Sequence, residues 1–163
     1  MDDALQHLVE KDAIIDTITR LFIATDERDW EAARACFTPR VLFDMSSMTG
    51  EAAAELDSQE IVDGWDRGLR HLAAVHHQAG NFKVTVDGGQ ADAFCYGIAS
   101  HYLPNATGRN TRFFVGSYDF YLEKDSHLEK DGAAWRIRQF RFNLKYMDGN
   151  LQLEGEVDDS SPS

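Results

Sequence analysis

A chain of 163 residues that is 43% hydrophobic is long enough for one domain with a proper core. Its net charge of −12, from 28 acidic and 16 basic residues, argues against nucleic acid or an anionic membrane surface as a partner. No window approaches the roughly 18 consecutive apolar residues of a membrane span, and the acidic start Met1-Asp2-Asp3 is unlike a signal peptide, so a cytoplasmic protein is expected.

From Leu8 to Thr25 apolar residues recur at helical spacing (Ile14, Ile18, Leu21, Phe22) and predict a first helix. Asp29 is placed to cap a second, short helix from Trp30 to Phe37, closed by Pro39. Val41–Met45 reads as a short strand and the small, polar stretch Ser46–Leu56 as a loop. Asp57 with Glu60 resembles a capping box opening a third helix that runs to about Leu72. After His76-His77 the period changes to two. Strands are expected at Asn81–Val86, Ala91–Leu103, Thr111–Glu123 and Ala134–Tyr146, with turns at Asp87-Gly88-Gly89 and Pro104–Gly108 and a polar connector at Lys124–Gly132. Helices segregated from an antiparallel meander mean α+β, with one domain over residues 1–147 and a loose acidic tail over 148–163.

Arg136, Arg138, Arg141 and Lys145 form the one basic cluster, but strand alternation would divide them between two faces, so they make no phosphate-binding stripe. Cys36 and Cys95 lack a CxxC partner and read as buried small hydrophobes rather than a disulfide or zinc site. His7, His71 and His127 fall on a helix start, a helix end and a connector, and read as surface residues.

The chemistry-bearing candidates are Asp26 and the downstream histidines. Ile14, Ile18, Phe22 and Asp26 follow at four-residue steps, so Asp26 continues the apolar stripe of its helix and needs a partner inside. It could serve only as a polar helix end; a histidine partner would instead supply acid–base chemistry near neutral pH. His76 and His77 point to opposite sides of a strand, and periodicity does not choose between them. Two histidines and an aspartate also match a non-haem iron ligand set, but no His-x-Asp/Glu spacing supports a preformed site.

The element order, with Asp26-Glu-Arg-Asp-Trp30 after the first helix, resembles the SnoaL-like branch of the nuclear transport factor two superfamily over about residues 8–146. Within it the motifs are most similar to scytalone dehydratase and hexachlorocyclohexane dehydrochlorinase. The resemblance implies a cone-shaped barrel of curved, mainly antiparallel sheet with about three helices on its concave face. It implies an Asp26–His77 acid–base pair with His101 as a further histidine, no metal and no cofactor. It also sets a register in which Arg112, Phe114, Gly116 and Tyr118 face the pocket. Where the dehydratase has a tyrosine on its first strand and Ser and Asn on its third meander strand, this chain has Met45, Gly116 and Tyr118.

With His101 inward, alternation makes Cys95, Gly97 and Ala99 a small-residue floor that leaves room for a ligand. Phe43, Met45, Trp65, Phe140 and Phe142 would add apolar walls suited to a small aromatic or polyketide-like molecule. The expected activity is a cofactor-free lyase; the alternatives are an isomerase or cyclase of the ketosteroid-isomerase or SnoaL type, and a non-catalytic ligand-binding module. Aromatic residues sufficient for both sheet faces point to a homodimer or homotrimer.

Overall fold

The computed structural model describes residues 2–125 and 134–155; His127 and most of the connector at Lys124–Gly132 lie outside them. Helix α1 (Asp3–Glu27) begins at Asp3 rather than Leu8, because the Asp2 side chain accepts from Ala4 N and caps it. Its stripe of Ile14, Ile18, Leu21 and Phe22 is buried, each side chain contributing about 1.5–3 kcal/mol. A second carboxylate, Glu10, ends that stripe on the N-terminal side. It accepts from Trp135 Nε1 at 2.6 Å and Lys124 Nζ at 2.8 Å, tying the helix to the sheet. Burial opposes its charge, but the hydrogen bonds from Lys124, Trp135 and Gln6 prevail and lower its pKa.

Asp29 caps α2 (Trp30–Ala35) by accepting from Ala32 N. The helix stops there rather than at Phe37, and β1 (Phe37–Asp44) starts earlier than the pattern indicates. Pro39 does not close a helix: it sits in an irregularity of the parallel β1–β6 pairing between Phe37 and Leu42, where a missing N–H costs no ladder bond. The expected loop at Ser46–Leu56 contains a one-turn helix α3 (Ser46–Thr49) and the start of an edge strand β2 (Ala54–Asp57). Ser47 Oγ, which donates to Phe142 O and accepts from Leu144 N, fastens α3 to the sheet. The Asp57–Glu60 capping box opens α4 (Ser58–Leu69) as expected.

Strands β3 (Ala74–Asp87), β4 (Gln90–Tyr102), β5 (Thr111–Asp125) and β6 (Ala134–Gly149) complete a six-stranded sheet of order β2-β1-β6-β5-β4-β3. It is antiparallel except for β1 against β6. The fold is thus α+β, with the core between α1, α4 and the sheet's inner face. β3 begins well before Asn81 because a bulge between Gly80 and Lys83, with Asn81 at φ 56°, switches its phase. Val75, His77 and Ala79 face in before the bulge, and Phe82, Val84 and Val86 after it.

A second phase switch lies on β6, where Arg138 is the extra residue opposite the Tyr121–Leu122 step of β5, and it corrects the reading of the basic cluster. Arg136 stands opposite Glu123 and Arg141 opposite Asp119, so both lie on the outer face with those acids, while Ile137, Phe140 and Phe142 face the core. Three of its four cations are paired with acids. Arg136 pairs with Asp125, Arg138 with Glu55 and Arg141 with Asp44.

Of the expected tail, Asp148 and Gly149 belong to β6, and two residues beyond it anchor the chain. Asn150 is buried, Leu153 packs with Leu72 and Val75, and 156–163 lie outside the described residues. Cys36 and Cys95 are free and buried. Among the described residues no helix is long and apolar enough to cross a membrane. Tyr96, Ile98, Tyr102 and Tyr146 are exposed on the sheet.

Gly116 has no room for a side chain: a Cβ there would collide with the Asn143 carbonyl on β6. Gly116→Ala should therefore destabilise the fold by about 2–3 kcal/mol, read as a lower urea midpoint; an unchanged midpoint would show that the β5–β6 bulge yields freely.

Candidate active site

The segment that ends α1 is a junction. Arg28, in the left-handed region at φ 59°, stops the helix. Its Nη2 donates to the carbonyls of Leu69 and Leu72 at the exit of α4, and Trp30 Nε1 donates to Asp66 Oδ1. These bonds draw the α4–β3 connection, and with it the start of β3, against the end of α1. His77 is thereby brought beside Asp26.

Asp26 Oδ1 accepts from His77 Nδ1 at 2.6 Å, and Oδ2 accepts from His77 backbone N at 2.8 Å. The side chains are 17% and 14% exposed, sheltered from bulk water yet open to a ligand. In the neutral ring, with Nδ1–H held by the carboxylate, the free lone pair is on Nε2. Phe22 stacks on the ring at 5.2 Å and fixes its plane. His76 faces outward, against Gln78 Oε1.

His101 lies diagonally across the β3–β4 pair, since Val75 is opposite His101 and His77 opposite Ala99. Its Nδ1 meets Arg112 Nη2 at 2.9 Å. A guanidinium can only donate, so Nδ1 accepts and the proton sits on Nε2. Burial, then the Arg112 charge, depress its pKa to about 4. His101 is a neutral donor at neutral pH.

Both histidines line a cavity of about 330 Å³ between α1, α4 and the sheet. Met45, Trp65, Arg112, Phe114, Tyr118 and Phe140 border it as expected, as does Phe142. Phe43 does not. It stands behind the wall, stacked on Phe140 at 5.3 Å and tilted against Trp65. The floor also differs from expectation. The ring of Tyr118 lies over Gly97, where a Cβ would collide with it, so the opening ends at Ala99 and His101 instead of continuing to Cys95. Burial raises the Tyr118 pKa, with Cys95 and Asp26 adding to the effect.

The sequence reading did not name Phe22, Thr25, Met48 and Leu69 as lining residues, nor the helix glycines Gly64 and Gly68. Gly64 and Gly68 recur at one helical step on α4, a spacing that marks a face thinned to admit something; that signal was present. Glu154 was also missed: its carboxylate grips Arg112 through Nη1 at 2.6 Å and Nη2 at 2.7 Å. Among the described residues no group of three or more His, Cys, Asp or Glu is arranged to hold a metal ion.

The sequence model of the SnoaL-like domain matches residues 6–141, and the chain belongs to that family. A comparison with curated protein sequences gives no match. Among solved structures, protein Kfla4162 of Kribbella flavida superposes with a TM-score of 0.78 at 20% identity, covering 85% of this chain and 92% of that one. A Novosphingobium aromaticivorans protein provisionally named a scytalone dehydratase gives 0.73 at 15%, covering 87% and 88%. A type 2 hexachlorocyclohexane dehydrochlorinase gives 0.72 at 13%, covering 90% and 93%. At these identities the likeness is one of fold.

The depressed His101 pKa has a thermodynamic consequence. Below its ordinary value of 6.5 the unfolded chain binds a proton that the folded chain refuses until about pH 4, so stability falls as pH drops through that window. Glu154, held near 2 chiefly by Arg112, adds a separate loss between about 4.5 and 2. His101→Gln should flatten the pH dependence of the urea midpoint between 6.5 and 4; a slope equal to that of the parent chain would contradict the assigned burial.

Proposed function

We propose that this protein is a lyase that works without a cofactor on a small aromatic or polyketide-like molecule, by acid–base catalysis at the Asp26–His77 pair. The observation carrying the proposal is the 2.6 Å contact between Asp26 Oδ1 and His77 Nδ1, with His77 bordering a mainly apolar cavity. This arrangement suits a base. Nε2 takes a proton from the carbon next to the leaving group, and Asp26 stabilises the imidazolium that forms. The released electron pair forms the new double bond as the leaving group departs.

His101 contributes differently. It is neutral, so it serves as a hydrogen-bond donor to an oxygen on which negative charge develops, rather than as a source of a whole proton. The proton needed by a departing hydroxide is then the one held on His77, and a single imidazole both accepts and returns it. Loss of water fits this route; a retro-aldol release of a carbon fragment, starting from an O–H, is the variant using the same groups.

The walls support the substrate class. Trp65, Phe114, Tyr118, Phe140 and Phe142 offer aromatic surface, and a volume of about 330 Å³ lies at the small end for ligand sites. A carboxylate base of the isomerase type is disfavoured, since both Asp26 oxygens are already occupied by His77.

The scytalone dehydratase and dehydrochlorinase likenesses agree with a lyase and supply candidate substrates to screen. His77→Ala and Asp26→Asn should each lower turnover by about 10²–10⁴-fold while the fold persists by circular dichroism. Full activity without the imidazole would remove this reading, and a product of unchanged mass would convert it to isomerisation.

A further inference from the structure

We propose that Glu154, from the segment after the last strand, is a positioning residue of the cavity: by gripping Arg112 it holds the guanidinium on His101 Nδ1 and so keeps His101 a donor through Nε2. As a contribution to catalysis this rests on the proposed function; as a statement about the state of His101 it does not.

Arg112 stands directly opposite His101 across the β4–β5 pair and packs over Phe114 at 5.3 Å. Its Nη2 has two hydrogens, and both are engaged: one on Glu154 Oε1 at 2.7 Å, the other on His101 Nδ1 at 2.9 Å. Nη1 completes a fork on Glu154 Oε2 at 2.6 Å. The fork fixes the plane of the guanidinium, and the plane decides where the second Nη2 hydrogen points. Glu154 also supplies the counter-charge that an arginine only 12% exposed requires.

Glu154 is itself held in place. Asn150 N donates to Thr111 O at 2.7 Å, Asn150 Nδ2 to Arg109 O at 3.0 Å, and Gln152 N to Asn150 Oδ1. Leu153 is buried with Leu72 and Val75, and His71 Nε2 lies 3.1 Å from Glu154 Oε1. The charged and titratable neighbours acting on His101 are Arg112, His77, Glu154 and His71. Only Arg112 makes a hydrogen bond to it among the described residues, so freeing Arg112 releases the tautomer.

The test is imidazole nitrogen NMR of the full-length protein, with the His101 signals assigned by their loss in His101→Gln. In the parent chain at neutral pH, Nδ1 should be bare and Nε2 protonated. Glu154→Gln should collapse that separation toward a tautomer mixture while leaving the His77 signals in place. Glu154→Asp, which keeps the charge but withdraws the carboxylate by one methylene, serves as second variant should the first fail to fold, and should shift His101 in the same direction.

A protonated Nδ1 in the parent, or an unmoved His101 in the folded variants, overturns the proposal. With a substrate in hand, Glu154→Gln should lower kcat more than it changes KM and add no loss in a His101→Ala background; undiminished losses in that background would also overturn it. A shifted tautomer in a protein without turnover would sink the proposed function alone.

Discussion

The carboxylate of Asp26 cannot be buried alone, and the solution to that constraint organises the molecule. Both its oxygens are satisfied by one residue, through the ring and the backbone of His77. A carboxylate sheltered in this way needs donors, and it finds them where the end of α1 meets the start of β3. The intervening chain is arranged to permit this. Arg28 turns out of the helix and caps α4, Asp29 starts α2, and Trp30 ties α2 to α4, so the run 26–30 assigns one task to nearly every residue. At the opposite end of α1, Glu10 meets the same constraint with Trp135 and Lys124. The helix is held at both ends by carboxylates with designated donors, and only one of those donors is an imidazole facing an open cavity.

Two imidazoles on neighbouring strands are thereby held in opposite states. His77 gives its Nδ1–H to a carboxylate and presents a lone pair; His101 accepts at Nδ1 from a guanidinium and presents an N–H. Neither residue type dictates this, since a free imidazole interconverts its tautomers. The charge of the partner decides: an anion selects the acceptor and a cation the donor. An acceptor and a donor set diagonally on one sheet face form a polarised pair, the arrangement on which the proposed chemistry rests.

Much of this was legible in the sequence, and the failures share a cause. Asp26, the capping box at Asp57 and Glu60, and the inward row on β4 follow uninterrupted periods, and each is where those periods put it. The errors cluster at bulges. Gly80-Asn81 reverses the phase of β3 and shortened its expected extent to Asn81–Val86; the extra residue Arg138 reverses β6 against β5 and scattered the arginines. A short edge strand with the composition Ala-Glu-Leu-Asp carries no local signal because its pairing with β1 supplies the reason for its existence. Glu154 was invisible for another reason: an acidic, serine-rich terminus reads as solvated, and nothing local reveals that Asn150 and Leu153 dock the chain against Thr111 and Leu72.

The walls of the cavity diverge from the machinery in an informative way. A small-residue floor along β4 would have left a long open trough, yet Gly97 serves a neighbour and not a ligand: its missing Cβ is the space into which the Tyr118 ring settles. Tyr118 packs among Phe22, Phe120, Phe140 and Phe142, so it moves only with the core. The floor is filled from the side by a residue that also touches Phe22, which stacks on His77. Reach into the cavity and orientation of the His77 ring are therefore coupled through one aromatic contact. A smaller side chain at Tyr118 that lengthened the trough would also loosen the ring plane of His77, so a roomier cavity would come with a less firmly held imidazole.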